Sequence, residues 1–130
     1  MKLVGRTIYP GQAEGEALVS RMGISFYGEV DPDTGVITEK GHDLQGQSIV
    51  GKVLVFPAGK GSTVGSYILY RLKYNGLAPA AIINVACEPI IAVGCIIAEI
   101  PCIDQVSIDQ LFTGEVVRLD AACGWLEVLD

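Results

Sequence analysis

The clearest periodic signal in this chain is the near-continuous apolar run from Val50 to Phe56 (VGKVLVF), which predicts a buried strand. A glycine-rich loop follows, Pro57-Ala58-Gly59-Lys60-Gly61-Ser62, and then the period changes. Val64, Ile68 and Leu72 stand four apart with Leu69 beside them, which predicts a helix over Thr63 to Tyr74. Arg71 and Lys73 occupy its last turn, where cations suit the helix dipole, and Asn75-Gly76 stops it. Pro79 to Val85 (PAAIINV) predicts a second buried strand. Strand, helix, strand at this spacing is a right-handed crossover unit with a parallel strand pair. Glu88 to Ala98 is apolar on every side and predicts a buried helix, with Glu88-Pro89 suited to its first turn.

The flanking segments are shorter. Lys2 to Tyr9, Gly15 to Ser20 and Ile24 to Tyr27 have an extended character. Asp31-Pro32-Asp33-Thr34-Gly35 is strong turn chemistry, across which Val36 to Thr38 pairs back. Gly41 to Gly46 is a further loop. Cys102 to Gln105 predicts a third parallel strand, and Ser107 to Leu111 a single helical turn capped by Ser107. Gly114 to Ala121 and Trp125 to Leu129 close the chain as two strands joined at Cys123-Gly124. The class is mixed α/β: a parallel core carrying helices, with antiparallel pieces from both ends. We take residues 1–130 as one domain, a length that fits a single core.

Composition narrows the function classes. Half the residues are hydrophobic and 18% are charged, which leaves apolar surface for a partner. The net charge of −6 with scattered cations argues against nucleic acid. The most apolar region, Ala78 to Ile103, is interrupted by charged residues before it reaches the roughly 18 residues that span a bilayer. With no basic, then apolar, leader at the N-terminus, the expectation is a cytoplasmic protein without a membrane partner. Cys87, Cys95, Cys102 and Cys123 form no CxxC pair, and three of them lie in apolar segments, so they are read as free thiols, buried or partly buried. A metal or iron–sulfur site would need three or four of those thiolates to converge.

The loop from Pro57 to Ser66 is the candidate for chemistry. It leaves the C-terminal end of a buried strand and opens a helix, the position that ligand sites favour in open α/β sheets. Its glycines let several N–H groups face one point at the positive end of a helix, a place suited to an anion. It is neither a Walker loop nor GxGxxG. Ser62 has two readings on spacing alone: a helix N-cap, or a hydroxyl that handles a substrate proton. The second needs N–H donors, a nearby cation such as Lys60, and exclusion of water.

The blocks GQAEGEALVS, SFYGEVDPDTGVI, VGKVLVFPAGKGST, GLAPAAIIN and EPIIAVGCIIAEIP together resemble the small subunit of aconitase X type proteins, almost end to end. The resemblance implies the swivelling β/β/α fold of the aconitase C-terminal domain. It implies a heterodimer with a large dehydratase subunit that carries the iron–sulfur cluster, so that this chain binds no cofactor or metal itself. It also implies Ser62 as the proton acceptor, with Lys60, Gly61 and Thr63 as its substrate-binding neighbours. Archaeal members of that family dehydrate 5-phosphomevalonate to trans-anhydromevalonate 5-phosphate on a route to isoprenoids; related members act on cis-3-hydroxy-L-proline. Many relatives carry arginine where this chain has Lys60, whose ammonium lacks the planar fork of a guanidinium.

Three function classes therefore stand at this point: one half-site of a hydro-lyase, a non-catalytic module binding a phosphorylated ligand on the same loop, and a cluster-binding protein using the four cysteines. The absence of a His–Asp or carboxylate pair argues against a complete enzyme in one chain. His42, the single histidine, lies in a polar loop and is read as solvated or locally hydrogen-bonded, or at a partner interface or active-site rim. Asp31 and Asp33 are read as turn residues, Glu88 and Glu99 as helix ends, and Trp125 as core or interface.

Overall fold

The computed structural model describes residues 1–129. Its elements are β1 (Lys2–Val4), β2 (Arg6–Tyr9), β3 (Gln12–Val19), β4 (Val53–Phe56), α1 (Gly65–Tyr74), β5 (Ala81–Asn84), α2 (Pro89–Ala98), β6 (Cys102–Asp104), a 3-10 turn at Ile108–Gln110, β7 (Val116–Asp120) and β8 (Trp125–Leu129). The strands run in the order β1-β8-β7-β3-β4-β5-β6-β2. β3 belongs to two layers. Its first half, Gln12 to Glu16, pairs antiparallel with β7. Its second half, Ala17 to Val19, pairs parallel with β4. β4, β5 and β6 continue in parallel, and β2 closes that edge antiparallel to β6.

Alternation along the central strands builds two cores. Val53, Val55, Ala81 and Ile83 pack with Val117, Leu119 and Leu126 between the two sheet layers. Leu54, Phe56 and Ile82 pack with Leu69, Leu72, Ile91 and Cys95 beneath the helices. The result is a β/β/α sandwich: antiparallel layer, parallel layer, helices. β4 and β5 are buried along their whole length, which is why they read as unbroken apolar runs.

Several boundaries differ from the sequence reading. The strand expected over Val50 to Phe56 begins at Val53, because Lys52 N–H bonds to Ile49 O and holds residues 49–52 in a turn. The extended stretch Lys2 to Tyr9 is two strands in different layers, divided at Gly5. The turn expected at Ser107 to Leu111 forms over Ile108–Gln110, without a side-chain cap from Ser107. The helix over Glu88 to Ala98 is α2, but it is not buried on every side: Val93, Ile96 and Ile97 are exposed.

The two helices meet at Gly94. A Cβ there would strike the Leu69 side chain and stand 3.3 Å from the Ser66 Cα. Ser66 Oγ donates to Ile90 O at 2.6 Å across the same contact. No helix is long and apolar enough to cross a membrane among the described residues.

Candidate functional site

The loop after β4 leaves the C-terminal edge of the parallel sheet and is held from two directions. Val85 and Ala86 N–H groups both donate to Pro57 O, at 3.0 and 3.1 Å. On the other side Ile24 runs alongside, its N–H donating to Ala58 O and its carbonyl accepting from Lys60 N–H, each at 3.2 Å. Beyond Lys60 the chain is released toward solvent. Gly61 has φ +84° with open space where a Cβ would stand, so the backbone conformation, not crowding, calls for glycine. Ser62, Thr63 and Val64 are exposed.

Ser62 is not the N-cap of α1. Ser62 O accepts from Gly65 N–H at 3.0 Å, closing a turn ahead of the helix, and the cap position moves to Val64, which has no side-chain capping bond. The expected helix start at Thr63 is therefore two residues early. Ser62 Oγ accepts the Val64 N–H at 3.4 Å, a long contact. The donor to Ser62 is thus the Val64 N–H, at the cap position of α1. The hydroxyl stays exposed beside the N-terminal turn of a ten-residue helix.

Lys60 Nζ donates to Glu39 Oε2 at 2.7 Å. The Lys60 side chain remains 43% exposed, while that of Glu39 is 18% exposed. Glu39 Oε1 is buried with no hydrogen-bond partner. The segment bearing Glu39 is anchored by His42, which is buried and not solvated. His42 Nδ1 lies 3.0 Å from Leu44 N and 3.1 Å from Asp43 Oδ1, and Nε2 lies 3.0 Å from Gly23 O. His42 is thus a locally hydrogen-bonded strut between the 39–46 loop and the Gly23–Ile24 segment that holds Lys60. No signal in the sequence pointed to Glu39.

Thr63 heads a groove of about 560 Å³ between the helices, lined further by Tyr67, Tyr70, Ile90, Val93 and Ile97. The Pro57–Ser62 loop also meets the cap of α2. Glu88 accepts from Ile90 and Ile91 N–H at 3.0 and 2.8 Å, the structural role expected of it.

The cysteines are free thiols, as read, but Cys123 is exposed where burial was expected. Cys102 lies within thiol hydrogen-bonding reach of Cys87 and Cys95, while Cys87 Sγ donates to Glu88 O at 3.8 Å and Cys102 Sγ to Ile103 O at 4.0 Å. The bond with Cys102, then burial, pushes the Cys87 thiol up. For Cys102, the bond with Cys87 acts downward, but the bond with Cys95 and burial outweigh it and leave the thiol well above its ordinary value. An iron–sulfur cluster takes several converging thiolates, and among the described residues no group of three Cys, His, Asp or Glu side chains is placed to hold a metal ion.

A second ion pair went unseen in the sequence. Arg6 Nε and Nη2 donate to the two oxygens of Asp104 at 2.9 and 2.8 Å, and Asp104 Oδ2 also accepts from Cys87 N–H at 2.9 Å. The hydrogen bond and charge of Asp104 raise the Arg6 guanidinium above its usual value. This buried carboxylate ties the edge strand β2 to the turn that follows β5.

A two-sheet sandwich with one helical layer, and an exposed serine where a parallel strand passes into a helix, define a swivelling β/β/α domain with its candidate chemistry at the sheet's C-terminal edge. The sequence matches the aconitase X swivel domain over residues 2–128, and the chain belongs to that family. It is 56% identical to the phosphomevalonate dehydratase small subunit of Methanosarcina acetivorans, covering 99% of this chain and 92% of that one. With the protein of the same name from Thermococcus kodakarensis it shares 55% identity, over 100% of this chain and 98% of the other. The crystal structure of Thermococcus kodakaraensis aconitase X in its holo form superposes with a TM-score of 0.99 at 55% identity, covering 100% of this chain and 99% of that one. A structural genomics target solved by solution NMR superposes at 0.92 and 46% identity, with both chains fully covered.

Proposed function

We propose that this chain is the small subunit of a cytoplasmic hydro-lyase that converts 5-phosphomevalonate to trans-anhydromevalonate 5-phosphate, with Ser62 as the proton acceptor. The observation that carries the reading is the exposed Ser62 hydroxyl, freed from capping, on the loop between β4 and α1. Full-length similarity to relatives that bear the dehydratase name supports the substrate.

Dehydration removes a hydroxyl from one carbon and a proton from its neighbour. Ser62 Oγ takes that proton as an alkoxide. An alkoxide in open water is not sustained, so it needs donors and a dry site. The Val64 N–H and the positive end of α1 supply charge stabilisation within this chain, and Lys60 brings an ammonium, paired with Glu39, to the same loop. Gly61 and Thr63 flank the reacting hydroxyl and bind substrate through their backbone and hydroxyl groups.

Exclusion of water falls to a larger partner subunit. The groove between the helices begins at Thr63, and α2 carries no charged residue yet exposes Val93, Ile96 and Ile97, a surface that favours a protein neighbour. The iron–sulfur cluster that the resemblance implies is assigned to that partner, a reading supported by the absence, among the described residues, of three Cys, His, Asp or Glu side chains placed to hold a metal ion.

Co-expression with the large subunit tests the reading. The two chains are expected to co-purify and to dehydrate 5-phosphomevalonate, with no turnover from this chain alone. Full turnover by the isolated chain, or none by the assembled pair, contradicts it.

A further inference from the structure

We infer that Glu39 is a positioning residue for the reaction, one that acts by fixing the Lys60 ammonium on the loop that carries Ser62. The inference rests on the reading of Lys60 and Ser62 given above and adds a residue to it. Lys60 is pinned at both ends: its backbone N–H to Ile24 O at 3.2 Å and its ammonium to Glu39 Oε2 at 2.7 Å. A lysine on a four-carbon stem otherwise samples many rotamers. Two donors of the ammonium remain for a ligand, and the 43% exposure of the side chain leaves them reachable.

The pair is poorly built for stability, which is the second observation. Glu39 Oε1 is buried and unpartnered, an arrangement that costs free energy. Asp104 shows how this same fold satisfies a buried carboxylate: both oxygens meet Arg6, and one also meets Cys87 N–H. Glu39 has no such complement, yet the loop that carries it is anchored by the His42 strut. The geometry holds a carboxylate against Lys60 at a cost, two residues from the proposed proton acceptor.

The test is a double-mutant cycle in the assembled two-subunit enzyme, with assembly checked by size-exclusion chromatography and kcat/KM measured on 5-phosphomevalonate. Lys60→Met is expected to lose roughly a hundredfold and Glu39→Ala about tenfold. In the Lys60→Met background Glu39→Ala is expected to cost nothing further, because its effect runs through the lysine. Glu39→Gln, which conserves volume and one acceptor, is expected to show the same pattern at about threefold, so the cycle stands even where the alanine variant does not assemble. If Lys60→Met is silent, the Lys60 reading fails and Glu39 falls with it. If Lys60→Met is costly but the Glu39 variants are silent or additive with it, the Lys60 reading stands and the role given to Glu39 is wrong.

Discussion

Gly59 lies against the carboxylate of Glu88, with no room for a Cβ between them. A methyl group at position 59 would strike Glu88 Oε1 and come within 2.7 Å of Ile91 Cγ1. The same carboxylate caps α2 through Ile90 and Ile91 N–H, so the candidate loop and the second helix are interlocked at one point.

Gly59→Ala must therefore displace either the cap or the loop. Loss of a cap costs about 1 kcal/mol and overpacking about 1–3 kcal/mol. We expect the variant to lose stability within that range by urea denaturation, and turnover of the assembled enzyme to fall by more than the population unfolded. Unchanged stability and turnover would show that Glu88 moves aside freely.

Gly94 makes the corresponding prediction for the helix pair. A Cβ there would strike Leu69 Cδ1, the end of a fully buried side chain, and stand 3.3 Å from Leu69 Cβ and from the Ser66 Cα. Gly94→Ala is expected to destabilise by about 1–3 kcal/mol despite the gain in helix propensity. Val93→Ala, one residue away on the exposed face, is expected to stay within about 0.5 kcal/mol in the isolated chain. Equal effects at the two positions would contradict the packing described here.

The thiols give a pH prediction with a definite sign. Cys87 and Cys102 are held protonated in the fold, whereas in the unfolded chain a thiol ionises near its ordinary value of 9.0. Above that pH the unfolded chain has released protons that the folded chain keeps, so stability is full below pH 9 and falls as pH rises beyond it. Urea midpoints from pH 7 to 10 should show the fall, and Cys87→Ser should reduce it. An aromatic disulfide reagent at pH 8 should titrate the exposed Cys123 rapidly and leave Cys95 and Cys102 until the chain unfolds. A rising stability above pH 9 would contradict the assignment.

How legible the molecule is in its sequence depends on the range of the interactions concerned. Trp125 to Leu129 and the Asp31 to Gly35 turn are set by alternation and turn chemistry, and both form where the residues place them. The strand, glycine loop and helix around Ser62 are equally visible. The start of α1 is not, because the bond from Gly65 N–H to Ser62 O inserts a turn that Ser-Thr at a helix entrance does not announce. The apolar residues of α2 register hydrophobicity but not which side meets Leu69, so its exposed face read as buried. Arg6–Asp104 and Lys60–Glu39 join residues 98 and 21 apart. No local pattern encodes such pairs, and the packing of Cys87, Cys95 and Cys102 into one core likewise arises only on folding.

The central claim is that the Ser62 hydroxyl takes the substrate proton, and one replacement tests it. Ser62 is exposed and does not cap α1, so Ser62→Ala should leave stability within about 0.5 kcal/mol, as for an ordinary surface site. Loss of a positioned base should lower kcat by roughly a hundredfold or more. The measurement is turnover of 5-phosphomevalonate by the assembled two-subunit enzyme, wild type against Ser62→Ala, with assembly verified for both. The account predicts an assembled, stable variant whose kcat has fallen at least that far. An assembled variant that keeps kcat within a few-fold of wild type, about 1 kcal/mol or less of barrier, would contradict it.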